Sequence, residues 1–117
     1  MLVAGFDWDR ANRDKCQKHG VSIDAIEAAF RKPIAVVPDP AHSGVEERFK
    51  AIGVTDEGRH ILIVFALRIR EGETFIRPIS ARYMHRREVR YYEEAAAKIR
   101  DRRGSGAVRR GSRPHRL

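Results

Sequence analysis

The run "HILIVFALRIR", residues 60–70, limits the possible folds more than any other stretch. It is apolar without a break from Ile61 to Leu67 and rich in β-branched side chains. That pattern suits a central strand covered on both faces. "EG" at 71–72 then makes a tight turn into "TFIRPISAR", residues 74–82, which reads as the next strand. Pro78 interrupts that strand. Proline has no N–H for the ladder, so its presence requires a bulge or an unpaired edge. Upstream, "ERFKAIGVT" at 47–55 and "IAVV" at 34–37 complete a set of four strands. The loops "DEGR" and "EG" are short, which favours antiparallel pairing.

Three helices accompany them. Asp9 can cap a first helix running to about His19, with Gly20 as a left-handed stop. Ser22 can cap a second over Ile23 to Arg31, with Val21 and Ile26 stapling its entry. Pro33 ends it and pushes Lys32 toward an extended backbone. A last helix, from about His85 to Arg100, carries Val89, Tyr92, Ala96 and Ile99 on one face. The order is ααββββα. We therefore expect an α+β fold: an antiparallel four-stranded sheet with flanking helices.

Charge divides the chain. The formal net charge is +8 over 117 residues. Residues 101–117 hold six arginines and Asp101, a net +5, which leaves +3 for residues 1–100. This organisation reads as one folded domain over residues 1–101 and a disordered basic tail over 102–117. The tail is either a solvated end without a role or an electrostatic arm for nucleic acid. A basic excess of this size points to a polyanionic partner. Cys16 is the lone cysteine, so no disulfide can form within the chain. No signal peptide is evident, and no apolar run approaches the roughly 20 residues that a membrane span needs. A soluble cytoplasmic protein is the expectation.

Metal and cofactor chemistry find little support. His19, His42, His60, His85 and His115 show no helical or finger-type spacing. There is no glycine-rich phosphate loop and no nucleophile elbow. We expect no metal and no cofactor. What remains is arginine, glutamate, histidine and tyrosine. Arg77 and Arg82 fall on opposite faces of their strand by simple alternation, or on one face if Pro78 creates a bulge. Arg86 and Arg90 form a like-charge pair four apart on the last helix. Either an anion gathers them, or Glu94 neutralises a wet surface. "EERF", residues 46–49, is either a surface ion-pair patch or a base beside a phosphate clamp. Trp8, Asn12, Lys15 and His19 recur at helical spacing, with Trp8 reading as core. His19 either favours the helix end or moves a proton.

Three segments together resemble one family. "FDWDRANRDKCQKHGVS", "EERFKAIG" and "IRPISARYMHRREVRYYEE" are similar to the BrnT ribonuclease toxins of bacterial toxin–antitoxin pairs, over about Phe6 to Glu94. The resemblance implies a RelE-like fold, cleavage of RNA, neutralisation by a BrnA-like antitoxin, and promoter DNA bound only through the toxin–antitoxin complex. The chain departs from the family at Pro78, where an all-aliphatic strand is usual, and in the tail beyond Arg102.

On this reading the protein is a metal-independent endoribonuclease that arrests growth. The candidate catalytic residues are Arg77, Arg82 and Arg48 as phosphate clamps, His19 and Glu47 as proton handlers, and Tyr91 as a base-positioning group or acid. Lys15, Lys18, Arg86, Arg87 and Arg90 are candidate RNA contacts. The runner-up is a basic module that binds RNA or a ribosome without cutting. A repressor acting alone is disfavoured: the second helix, "IDAIEAAFR", is acidic and apolar where a recognition helix should be basic.

Overall fold

The computed structural model describes residues 3–102. Beyond residue 102, the basic tail lies outside the described residues, as does the side chain of Ile99. The elements are β1 (Gly5–Phe6), α1 (Arg10–Gln17), α2 (Ile23–Arg31), β2 (Ala35–Pro38), a 3₁₀ turn (Pro40–His42), β3 (Phe49–Val54), β4 (His60–Arg70), β5 (Glu73–Tyr83) and α3 (Arg86–Arg102).

The sheet runs β1-β5-β4-β3-β2. β4 has a hydrogen-bonded neighbour on each side, as its apolar run demanded. Ile61, Ile63 and Phe65 bury one of its faces, and Val64 and Ala66 the other. The β4–β5 turn uses Glu71 and Gly72, both at positive φ, the backbone of a two-residue hairpin that matches strand twist.

The expected four-stranded antiparallel sheet is corrected here to a mixed sheet of five. β1 pairs parallel with β5, Gly5 opposite Phe75 and Phe6 opposite Ile76. Two residues are too few to show an alternation, and their partners lie about seventy positions away. Such a strand exists only by tertiary pairing, so no local pattern announces it.

Pro78 produces the bulge. Val64 pairs with Ser80 and Phe65 with Pro78, so Ile79 is the extra residue. The phase of β5 shifts there by one. Ile76 and Pro78 face the core before the bulge, and Ala81 and Tyr83 face it after. Arg77 and Arg82 consequently share the opposite face.

α1 and α2 close the core side. Asp9 caps α1 through a reciprocal pair: its carboxylate accepts from Asn12 N at 3.0 Å, and Asn12 Oδ1 accepts from Asp9 N at 2.7 Å. The Asn12 amide is buried and donates to Asp7 O at 3.0 Å and Pro78 O at 2.8 Å. One side chain thus fastens α1 to β5 beside the bulge. Ser22 caps α2, and Val21, Ile26 and Ala29 are buried with Cys16, Ile34 and the inner strand residues. Phe6, Phe30, Phe65 and Phe49 form a chain of ring contacts at 5.9, 5.1 and 5.5 Å, the first two edge to face. A side chain at Gly53 would meet Ala29 Cβ at 3.1 Å, so this glycine lets α2 lie close on β3. Trp8 is partly buried against the core, and its Nε1 donates to Glu27 at 2.8 Å.

Candidate functional site

The face of the sheet away from α2 carries the charge. By register it presents Lys50 from β3, Arg68 and Arg70 from β4, and Arg77 and Arg82 from β5. Where α1 meets this face a concavity of about 220 Å³ opens, lined by Ala11, Asn12, Lys15, Glu46, Arg48, Arg68, Arg77 and Ile79. That is below the roughly 300 Å³ at which small-molecule pockets begin. It suits one segment of a polymer backbone better than a whole metabolite.

Each lining side chain has a local reason for its place. Lys15 projects from the last turn of α1. Glu46 and Arg48 come from the segment before β3, which a serine ties together. Ser43 Oγ donates to Asp39 O at 2.9 Å and accepts from Arg48 N at 2.9 Å, while Asp39 N donates to Arg48 O at 2.9 Å. Arg68 and Arg77 are set by the strand ladder. Asp7, continuing β1 and buried, anchors the arginines from below. Both of its oxygens accept from Arg70 Nη2 at 3.2 Å, and it lies 3.6 Å from Arg77 Nη1. Arg77 Nη2 also donates to Asp9 at 2.9 Å, and its side chain is only 16% exposed. The helix-cap hydrogen bond from Asn12, and then Arg77, hold the Asp9 carboxyl below its ordinary value.

Glu46 is the single carboxylate among the described lining residues. It accepts from Arg68 Nε at 3.2 Å and Nη2 at 3.4 Å and lies 3.9 Å from Arg48 Nη2. The Nε of Arg48 is buried with no hydrogen-bond partner. Four cations and one carboxylate therefore line the same open concavity. Such a site can seat a phosphate between planar guanidinium forks and can accept a proton beside it. Among the described residues, no three His, Cys, Asp or Glu side chains are grouped so as to hold a metal ion, and no helix is long and apolar enough to cross a membrane.

The structure brings Arg77, Arg48 and Lys15 together and sets the other sequence candidates apart. Arg82 shares the face of Arg77 but pairs with Leu62, four ladder positions from Ala66, the partner of Arg77. That is about 13 Å along the strand. Its guanidinium is engaged by Glu88. Arg86, Arg87 and Arg90 are exposed on α3, and Tyr91 is 75% exposed there. Tyr92 turns inward instead, its ring 6.4 Å from that of His60, and burial raises its phenol above the usual range. Lys18 and His19 are exposed in the turn after α1. Glu47 is exposed and does not line the concavity. Arg68 was not among the sequence candidates, and of the two adjacent glutamates it is Glu46, not the candidate proton handler Glu47, that lines the concavity. The available signal was parity: Arg68 and Arg70 are two apart at the end of a buried strand, on one face.

The family model for BrnT, the ribonuclease toxin of type II toxin–antitoxin systems, matches residues 8–88. That stretch contains every residue lining the concavity. No curated protein matches the chain.

Proposed function

The chain belongs to the BrnT family of ribonuclease toxins, and on that premise we propose that the concavity of Lys15, Arg48, Arg68 and Arg77 seats the scissile phosphate of an RNA and promotes its cleavage without a metal ion. The observation that carries this reading is the gathering of four cations, from α1, the pre-β3 segment, β4 and β5, in one concavity that also holds the Glu46 carboxylate. RNA supplies its own nucleophile in the 2′-hydroxyl. The protein must place the phosphate, stabilise charge developing on its oxygens and handle two protons. Arg77 is preorganised for the second task, since Asp7 and Asp9 fix its guanidinium before any ligand arrives.

Beyond the cleft, Arg82 and the exposed Arg86, Arg87 and Arg90 extend a basic surface along which flanking phosphates can run. Lys18 adds a further cation after α1. The exposed ring of Tyr91 offers a face on which an unpaired base can stack. His19 and Glu47 stand outside the cleft lining, and a role in proton transfer would require the RNA to reach them there. The partner is an antitoxin of the BrnA type. An acidic segment of it would cover the arginines, and promoter DNA would be reached only through that complex, in the cytoplasm.

Incubating the purified protein with labelled RNA in excess chelator tests this reading. Cleavage that continues supports it. Cleavage that stops and returns with added magnesium overturns metal independence. RNA that shifts in a gel but stays intact identifies a binding module instead.

A further inference from the structure

Glu46 occupies the position from which a proton could be taken. Its side chain is about a third exposed, at 31%, so solvent and ligand can reach it. Arg68 holds its oxygens edge-on at 3.2 and 3.4 Å and Arg48 Nη2 lies 3.9 Å away, in the concavity whose cations would receive a phosphate. Glu47, the next residue, is exposed and is not among the lining residues. Among the lining residues there is no histidine and no tyrosine, so no competing base of those types is present. Of the four lining cations, lysine alone can release a proton, because arginine stays charged at any working pH.

We propose that Glu46 is the general base of the cleavage, taking the proton of the 2′-hydroxyl, with Lys15 as the acid on the leaving side. This rests on the phosphate-seating reading above and adds the proton path to it. The 2′-oxygen gives its proton to the Glu46 carboxylate as it forms a bond to phosphorus. The bond from phosphorus to the 5′-oxygen breaks, and that oxygen gains a proton from the Lys15 ammonium. One proton is taken and one is given. The products are a 2′,3′-cyclic phosphate and a 5′-hydroxyl end, and water then returns Glu46 and Lys15 to their starting charges. Arg48, Arg68 and Arg77 stay charged throughout and stabilise the phosphorane-like transition state.

A bland alternative exists: Glu46 merely neutralises Arg48 and Arg68. Glu46→Gln separates the two, since the amide keeps the shape and a hydrogen-bonding oxygen but is not a base. The wild-type protein, Glu46→Gln and the exposed control Glu57→Gln would be compared on a mixed-sequence oligoribonucleotide in excess chelator. Binding would be measured on the same oligonucleotide with 2′-deoxy sugars, which cannot be cut. Expected is a loss of single-turnover rate of about a hundred- to ten-thousandfold in Glu46→Gln, with binding equal to or tighter than wild type. The acidic limb of the rate–pH profile should disappear in that variant. Product ends should carry a 5′-hydroxyl. Cleavage by Glu46→Gln at the wild-type rate overturns the proposal, as do 5′-phosphate ends, which require attack by water. Equal losses of binding and rate assign Glu46 to structure and overturn it too. If the wild-type protein binds this RNA without cutting it, the failure lies in the underlying reading, and Glu57→Gln will behave identically.

Discussion

Arg82 and Glu88 hold each other through two parallel hydrogen bonds of 2.7 Å, Nη1 to Oε1 and Nη2 to Oε2. The same carboxylate accepts from the backbone N–H of His85 at 2.8 Å. His85 precedes the first residue of α3, and Glu88 is the third residue inside it. Glu88 therefore satisfies an orphan donor at the helix start and fills the fork of an arginine on β5. With the ring contact of Tyr92 on His60, this clasp ties α3 to the open face of the sheet.

Glu88 should make stability depend on acid. The Arg82 hydrogen bond, then the His85 N–H, pull its carboxyl down to about 2 from an ordinary 4.5. The folded value lies below the unfolded one, so the contribution is fully present above about 4.5 and is lost as pH falls through about 2. The side chain is 35% exposed, which screens the pair and limits it to about 1 kcal/mol. Urea unfolding of Glu88→Gln should show that deficit at pH 6 and almost none at pH 2. The same variant tests Arg82. If Arg82 contacts RNA, Arg82→Ala relieves growth arrest while Glu88→Gln, which leaves the guanidinium free, does not. Equal relief in both would make Arg82 an anchor for α3.

What could be read from the sequence follows from how local each cause is. Pro78 announced its bulge because a missing N–H is a property of one residue, and the bulge decided that Arg77 and Arg82 share a face. Asp9, Ser22 and Gly20 announced helix ends for similar reasons. β1 was invisible because its pairing exists only once β5 is folded. The cleft was half visible. Arg77, Arg48 and Lys15 were marked as basic residues, but the approach of Arg68 to Glu46 spans 22 positions and depends on the β3–β4 register. Alternation could not choose between Glu46 and Glu47, because both precede β3 in a segment without a strand period.

Asn12 should be among the costliest polar residues to replace. Its side-chain oxygen accepts from Asp9 N in the capping box of α1, and its amide donates to two buried carbonyls, one of them the Pro78 oxygen beside the bulge. Asn12→Ala leaves both acceptors without that partner and removes the return half of the capping box, while the Asp9 cap itself remains, a loss of about 2–4 kcal/mol. Asn12→Asp should be no better, since a carboxylate cannot donate to either oxygen. Chemical denaturation measures both. A loss below about 1 kcal/mol in the alanine variant would show that water replaces the amide.

Cys16 should be silent at neutral pH and destabilising in alkali. It is fully buried, and desolvation raises its thiol from 9.0 to about 11. Below pH 9 both folded and unfolded chains keep the proton. Between about 9 and 11 the unfolded chain ionises and the folded one resists, so stability falls as pH rises through that window. Cys16→Ala should flatten the difference between urea midpoints at pH 8 and pH 10.5 relative to wild type. The native thiol should stay unreactive toward a disulfide reagent at pH 7.5 and react at once in denaturant. Rapid native labelling would contradict the burial.

Arg77 allows fold and chemistry to be separated. Asp7 is buried, and its two arginine partners differ: Arg70 is largely exposed, whereas Arg77 is 16% exposed. Arg77→Ala removes the better-buried partner and should cost about 3 kcal/mol, the lower end for breaking a buried pair. Loss of cleavage in that variant would therefore mix unfolding with catalysis. Arg77→Lys keeps a positive charge near Asp7 and should stay within about 1–2 kcal/mol of wild type, since hydrogen bonds are lost but the buried carboxylate keeps a cation. Lysine is a point charge, however. It cannot bridge Asp7 and Asp9 while presenting a second pair of donors to a phosphate. Cleavage by Arg77→Lys should fall about a hundredfold, as when one preorganised transition-state donor is removed. Urea melts and initial rates on the same preparation decide the matter. A stable Arg77→Lys protein that cuts RNA at the wild-type rate would place the phosphate away from Arg77, and the cleft with it.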